Sequence, residues 1–193
     1  MLKERLKKYH IILASASPRR KELLNDLGIS FTVELNEIEE NYPSHLQAHE
    51  ITDYLAELKS QSFLSNLSQN NLVISSDTIV WLNNNALGKP KNYKEAFNML
   101  KNLSGNQHEV ITSICLRGTS FKKIVNDKAK VYFKNLTNKE ISYYLEKHKP
   151  FDKAGAYGVQ DWIGKIGINK IEGNYYTIMG FPLHKLYKEL SNL

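Results

Sequence analysis

Apolar positions along this chain follow two periods, and the switches between them mark its elements. "IILA" at 11–14 is an unbroken apolar run, the pattern of a short buried strand. Ser17 follows as an N-cap and Pro18 takes the first helical position. Leu23, Leu24 and Leu27 then line one helix face until Gly28 stops it. Phe31, Val33 and Leu35 alternate, which predicts a second strand. Ile51, Leu55, Leu58 and, at the margin, Ser62 keep helical spacing and predict a helix over about residues 47–65. "LVISSDTIVWL" at 72–82 reads as a strand, with Asn83, Asn84 and Asn85 as its turn.

The second half is punctuated more sharply. Asn92, with Glu95 three residues on, opens a helix carrying Ala96, Phe97, Leu100 and Leu103, closed by Gly105. Residues 108–117 and 121–134 predict two antiparallel strands turning at Gly118. Thr137 and Glu140 form a capping box for a helix bearing Ile141, Tyr144 and Leu145, and Pro150 ends it. "FDKAGAYGVQ" at 151–160 is a glycine-punctuated loop. Strand-like stretches follow near 163–171 and 174–179, and Pro182 starts a terminal helix. There is no repeat, low-complexity segment or clear linker. Helices mixed with strands argue α/β or α+β.

Composition narrows the class. A chain of 193 residues makes one large domain or two closely joined lobes, and 41% apolar with 24% charged residues is ordinary for a globular protein. The net charge of +6 favours anionic partners. The basic residues are scattered, though, and the aromatic residues form no stacking platform, so no nucleic-acid partner is expected. Cys115 is the single cysteine, which excludes an internal disulfide and fits a reduced cytoplasmic compartment. Residues 1–10 lack the apolar core of a signal peptide, and no stretch approaches the ~20 apolar residues of a membrane span. The expectation is a soluble cytoplasmic protein without a membrane partner.

Several positions carry candidate chemistry, each beside a plainer alternative. A strand, a serine-rich turn and a helix N-terminus make an anion site in open α/β folds, and Ser15, Ser17, Arg19 and Arg20 share that turn. The alternative is a capped helix with exposed arginines. Asp77 ends an apolar run and is expected at the carboxyl end of a strand, able to hold a divalent metal or accept a proton from water. The alternative is an aspartate shaping a turn. Glu37, Glu39 and Glu40 either complete a metal site or form a solvated loop. Lys89 in "GKP" and Lys153 in "DKAGAYG" meet phosphate as point charges or are plain surface lysines. His45 and His49 lack the rest of a zinc motif. Residues 158–165 have the wrong spacing for a phosphate-binding P-loop.

Taken in order, the motifs resemble the Maf family of nucleoside triphosphate pyrophosphatases. "LASASPRRKELL" opens the chain and "IEE" follows at 38–40, with Lys59 in a helix beyond it. "SDTIV" stands at 76–80, "GKP" at 88–90 and "LSGNQHEVIT" at 103–112. "DKAGAYGVQ" and "GFPL" follow at 152–160 and 180–183. The resemblance covers nearly the whole chain. It implies a single domain over residues 1–193 with an elongated, two-lobed α/β fold, like the inosine-triphosphate pyrophosphatases, and an active cleft between the lobes. "SPRR", "SDT" and "AYGVQ" resemble the subgroup that hydrolyses dTTP and UTP to monophosphate and pyrophosphate, a house-cleaning activity using Mg²⁺ or Mn²⁺.

The resemblance also implies roles. Asp77 is the catalytic carboxylate and, with Glu40, a metal ligand. Ser15, Arg20, Lys59, Lys89 and Lys153 bind phosphate, and Arg19, Thr78 and Gln160 select the base. The implied partners are the nucleoside triphosphate and a second copy of the chain in a homodimer. The rival reading is a non-catalytic nucleotide-binding regulator of septum formation. Departures from the family pattern are small: Ser75 and Ser76 precede the aspartate in place of Gly-Ala, Ser60 follows Lys59 in place of Ala, and "DWIGKIGIN" at 161–169 is unusually basic.

Overall fold

A five-residue helix, α1 (Leu2–Leu6), precedes the first predicted strand and buries its two leucines one turn apart. The computed structural model that shows this describes residues 2–193. The apolar run becomes β1 (His10–Ala14), buried from Ile11 onward. It leads into α2 (Pro18–Asn25), where the Ser17 side chain accepts from the Arg20 amide as predicted. The alternating stretch yields only β2 (Thr32–Val33), with Val33 41% and Leu35 59% exposed. This strand lies at the edge of the sheet, paired with β1 alone, so its alternation marks no core face.

The next helix, α3 (His49–Gln61), is shorter than predicted and buries Ile51, Thr52, Leu55, Ala56 and Ser60. Its end has a local cause. The Ser60 and Ser62 hydroxyls donate back to the carbonyls of Glu57 and Lys59, which competes with continued helix. Then comes β3 (Asn71–Leu82), which turns through Asn83 and Asn84, both at positive φ, into an unpredicted strand, β4 (Asn85–Leu87).

The Asn92 cap opens α4 (Tyr93–Leu103) as read, and β5 (Gln107–Arg117) and β6 (Lys122–Phe133) follow. Thr137 and Glu140 complete both bonds of the capping box on α5 (Asn138–His148). The stretch near 163–171 splits into a helix, α6 (Trp162–Gly167), and a strand, β7 (Ile168–Glu172). Trp162, Ile163 and Ile166 do hold helical spacing, but two glycines disguise it. Gly164 is needed because a Cβ there would lie 2.1 Å from the Val159 carbonyl oxygen. The predicted strand near 174–179 is instead a turn of helix, α7 (Tyr175–Ile178), capped by Asn174. Pro182 caps the terminal helix α8 (Leu183–Ser191).

Seven strands form one mixed sheet in the order β2-β1-β3-β5-β6-β7, with β4 on β3. β1 pairs in parallel with β2 and β3, whereas the β3–β4 and β6–β7 pairs are antiparallel. The chain divides into two compact units. The first comprises Met1–Asp77, Thr112–Asp127 and Gly180–Leu193, and the second Thr78–Ile111 and Lys128–Met179. Ile12, Ala14, Phe63 and Val73 pack together in the first. The second has a larger cluster, including Leu100, Leu103, Phe133, Ile141, Tyr144, Tyr157 and Ile163. Among the described residues no helix is long and apolar enough to cross a membrane.

The capping box supplies a pH test of the second unit. Glu140 accepts from Lys134 Nζ at 2.8 Å and from the Thr137 amide at 2.7 Å, and these bonds hold its carboxyl at about 2, below the ordinary 4.5. A depressed carboxylate contributes stability above its unfolded pKa and loses it as pH falls through the folded value. Glu140→Ala is therefore expected to cost about 1 kcal/mol at pH 7. In thermal unfolding the gap to the parent protein should shrink between pH 4.5 and about 2. A gap constant across that range would show that the side chain acts by packing alone.

Candidate active site

Asp77 lies at the seventh position of the twelve-residue β3, not at the strand's end as expected. The pairing explains the difference. β1 runs beside β3 only from Asn71 to Ser75, and β4 pairs from Val80 onward. Asp77 stands just past the carboxyl end of the β1–β3 parallel pair, in a strand that β5 and β4 also flank. It is 7% exposed.

The residues before it are tied on both sides. Ser75 Oγ donates to the Ala56 carbonyl on α3 at 2.6 Å, and Ser76 Oγ donates to the Gly180 carbonyl at 3.3 Å. The two serines that depart from the family pattern are thus buried anchors beside the carboxylate.

Lys59, near the end of α3, reaches Asp77 Oδ1 at 2.7 Å and Glu40 Oε2 at 2.9 Å. The lysine and aspartate side chains are 14% and 10% exposed, whereas that of Glu40, on the loop after β2, is 45% exposed. Burial pushes the Asp77 carboxyl above its ordinary range, and the charges of Lys59 and Arg20 oppose that shift. A carboxyl raised in this way accepts a proton more readily than one in water.

Arg20 is not an exposed arginine of a capped helix but is tied to backbone around it. Its Nε donates to the Gly180 carbonyl at 2.9 Å, and Nη1 donates to the Ser76 carbonyl at 2.7 Å and to Ser15 Oγ at 3.3 Å. The planar fork joins the turn before α2, the strand bearing Asp77 and the turn before α8. Withdrawal from solvent lowers its pKa to about 10, so it stays charged at neutral pH. Ser15 is buried and Arg19 half-buried in the same turn. Gly180, at φ +91°, carries no sequence signal of this role beyond its place in "GFPL", because carbonyl acceptors leave no mark on residue type.

The remaining candidates belong to the second unit. Thr78, the next residue of β3, is half-buried, and Lys89 is exposed between β4 and α4. The Gly155 amide donates to the Gly88 carbonyl at 3.0 Å, tying the loops of Lys89 and Lys153 together. Lys153 Nζ lies 2.8 Å from Asp152 Oδ1 and 4.0 Å from Asp161 Oδ2. Gln160 is half-buried in the turn that follows. Glu37 and Glu39 are exposed, as are His45 and His49, and Cys115 is fully buried.

The donor set can be tested against a divalent metal. Among the described residues no group of three or more His, Cys, Asp or Glu gathers as a metal cage. Glu40 and Asp77 nevertheless converge on one cation, the Lys59 ammonium. Mg²⁺ is commonly held by one or two carboxylates, with water and substrate phosphates completing its shell. The two carboxylates fit that pattern.

The fold is thus a mixed α/β sheet in which the Asp77 carboxylate lies buried beside Lys59 and in the field of Arg20. The family model described as "Maf-like protein" matches residues 10–193, and the chain belongs to that family. A relative from Flavobacterium johnsoniae, named dTTP/UTP pyrophosphatase, is 50% identical over 100% of both chains. One from Flavobacterium psychrophilum with the same name is 52% identical, covering 100% of this chain and 98% of its own. Among solved structures, the Staphylococcus aureus Ham1 protein is 17% identical with a TM-score of 0.46, over 64% of this chain and 71% of that one.

The burial of Asp77 yields a stability test. Its folded-state pKa lies above the ordinary 3.8, so the ionised form costs stability at every pH above that value. In chelator at pH 7, Asp77→Asn is expected to melt at or above the parent temperature, with the gap closing below pH 3.8. A clear drop in melting temperature at pH 7 would mean that the bond to Lys59 outweighs burial.

Proposed function

We propose that this chain is a nucleoside triphosphate pyrophosphatase that converts dTTP and UTP to the monophosphate and pyrophosphate. The observation that carries the reading is the Glu40–Lys59–Asp77 cluster beside Arg20, which sets a buried proton acceptor among cations. The names of the full-length relatives support the choice of substrate. The proposal covers one domain over residues 1–193, a cytoplasmic location, a house-cleaning role and homodimer formation.

In this reading Asp77 accepts a proton from water as its oxygen attacks the α-phosphorus. The bond from that phosphorus to its bridging oxygen breaks, and pyrophosphate leaves with the electron pair. Glu40 and Asp77 would hold Mg²⁺ or Mn²⁺. Such an ion supplies positive charge against the phosphate oxygens. Lys59, Lys89 and Lys153 serve the triphosphate as point charges. Arg20 and Ser15 share that work, with Arg20 also fixing the backbone at Ser76 and Gly180.

Arg19, Thr78 and Gln160 read the base. Uracil and thymine present two carbonyl acceptors around an N–H donor, a pattern that arginine and glutamine side chains can match. Cytosine replaces one acceptor with a donor. Each buried group left unpaired in this way costs about 1–3 kcal/mol. A non-catalytic regulator would have no use for a buried proton-accepting carboxylate.

With Mg²⁺ or Mn²⁺ present, dTTP and UTP are expected to be hydrolysed well above ATP, GTP and dCTP, with pyrophosphate identified as product. Equal rates on all bases, or release of orthophosphate and a diphosphate, would refute this. Asp77→Asn should retain the fold and lose ~10²–10⁴-fold in turnover. Near-parent rates would place water activation elsewhere.

A further inference from the structure

Tyr144 is fully buried within the core of the second unit, where a phenylalanine would fill the same space without a hydroxyl to satisfy. The hydroxyl is used twice. It donates to Asp161 Oδ2 at 2.6 Å and accepts from the Gly158 amide at 3.1 Å. The Asp161 amide in turn donates to the Gly158 carbonyl at 3.1 Å and closes the turn. One buried phenol therefore grips both ends of residues 158–161, and Gln160 lies between them.

Two further observations show that this grip displaces local alternatives. Asp161 is the N-cap residue of α6, yet its side chain makes no capping bond to the helix. An aspartate at that position ordinarily stabilises the helix by capping its first amides. Its carboxylate is turned to Tyr144 instead, with Lys153 Nζ 4.0 Å from the same oxygen. A Cβ at Gly158 would lie 2.6 Å from Asp161 Oδ2, so a side chain there would push the carboxylate from its place against Tyr144. Burial also pushes the Tyr144 phenol far above its ordinary pKa, so it remains a donor at any working pH.

We propose that Tyr144 is a positioning residue for base selection, its hydroxyl fixing through Gly158 and Asp161 the turn that carries Gln160. The inference rests on the proposed role of Gln160 in reading the base. Loss of the hydroxyl lets the turn relax, so the mismatched edge of cytosine meets a less rigid partner. Selectivity then falls further than the rate.

The test measures kcat/KM for UTP and CTP with the parent chain, Tyr144→Phe and Gln160→Ala, with melting temperature read alongside. Tyr144→Phe is expected to lower the UTP-to-CTP ratio about three- to tenfold, the equivalent of one lost buried hydrogen bond. A purely structural role would lower both substrates together and leave the ratio intact, which would overturn the inference. If Tyr144→Phe does not fold, Asp161→Ala breaks the same bond from the turn and is read by the same ratio. A parent enzyme without preference for UTP would refute the proposed base selection itself, and this inference with it. If the parent discriminates and Gln160→Ala abolishes the preference while Tyr144→Phe retains it, the functional reading stands and only the role of Tyr144 is wrong.

Discussion

The cost of burying a carboxylate organises the first unit. Asp77 is 7% exposed, and an ionised group withdrawn from water is tolerated only when charges and donors compensate it. Lys59 does so directly, at 2.7 Å, and Arg20 does so through its field. The compensation is incomplete, because the pKa remains raised. In the proposed reaction that shortfall would leave Asp77 the stronger base, since a fully compensated carboxylate accepts a proton less readily.

The backbone around Asp77 is held by neutral acceptors. Arg20 spends Nε and Nη1 on the carbonyls of Gly180 and Ser76, while Ser75 and Ser76 bond to Ala56 and Gly180. These contacts draw α2, α3, β3 and the turn before α8 to one short stretch of strand. An arginine at a helix start is ordinarily disfavoured by the dipole. Here carbonyl oxygens and a nearby carboxylate reverse that preference.

In the second unit the cations are positioned by other means. Lys153 rests near Asp152 and Asp161, and a single backbone bond between Gly155 and Gly88 links its loop to that of Lys89. Glycine at φ +66° lets residue 155 make that turn, and a Cβ there would lie 2.8 Å from Val80. Loops joined in this way have fewer conformations open to them.

Elements whose causes are local were legible from residue order alone. The caps at Ser17, Asn92 and Thr137 act within four residues of themselves, so α2, α4 and α5 begin where the sequence says. The buried runs of β1 and β3 are equally plain, and the ordered motifs by themselves mark the Maf family. The alternation at 31–35 misled, because burial depends on what covers an edge strand. The glycines of α6 misled too, since their reason is the Val159 carbonyl packed against them. The place of Asp77 was decided by which strands pair on either side of it. Carbonyl acceptors for Arg20, and the phenol of Tyr144 gripping a distant turn, leave no trace in local pattern. They join residues 14 to 160 positions apart, and only the folded chain brings such partners within hydrogen-bond reach.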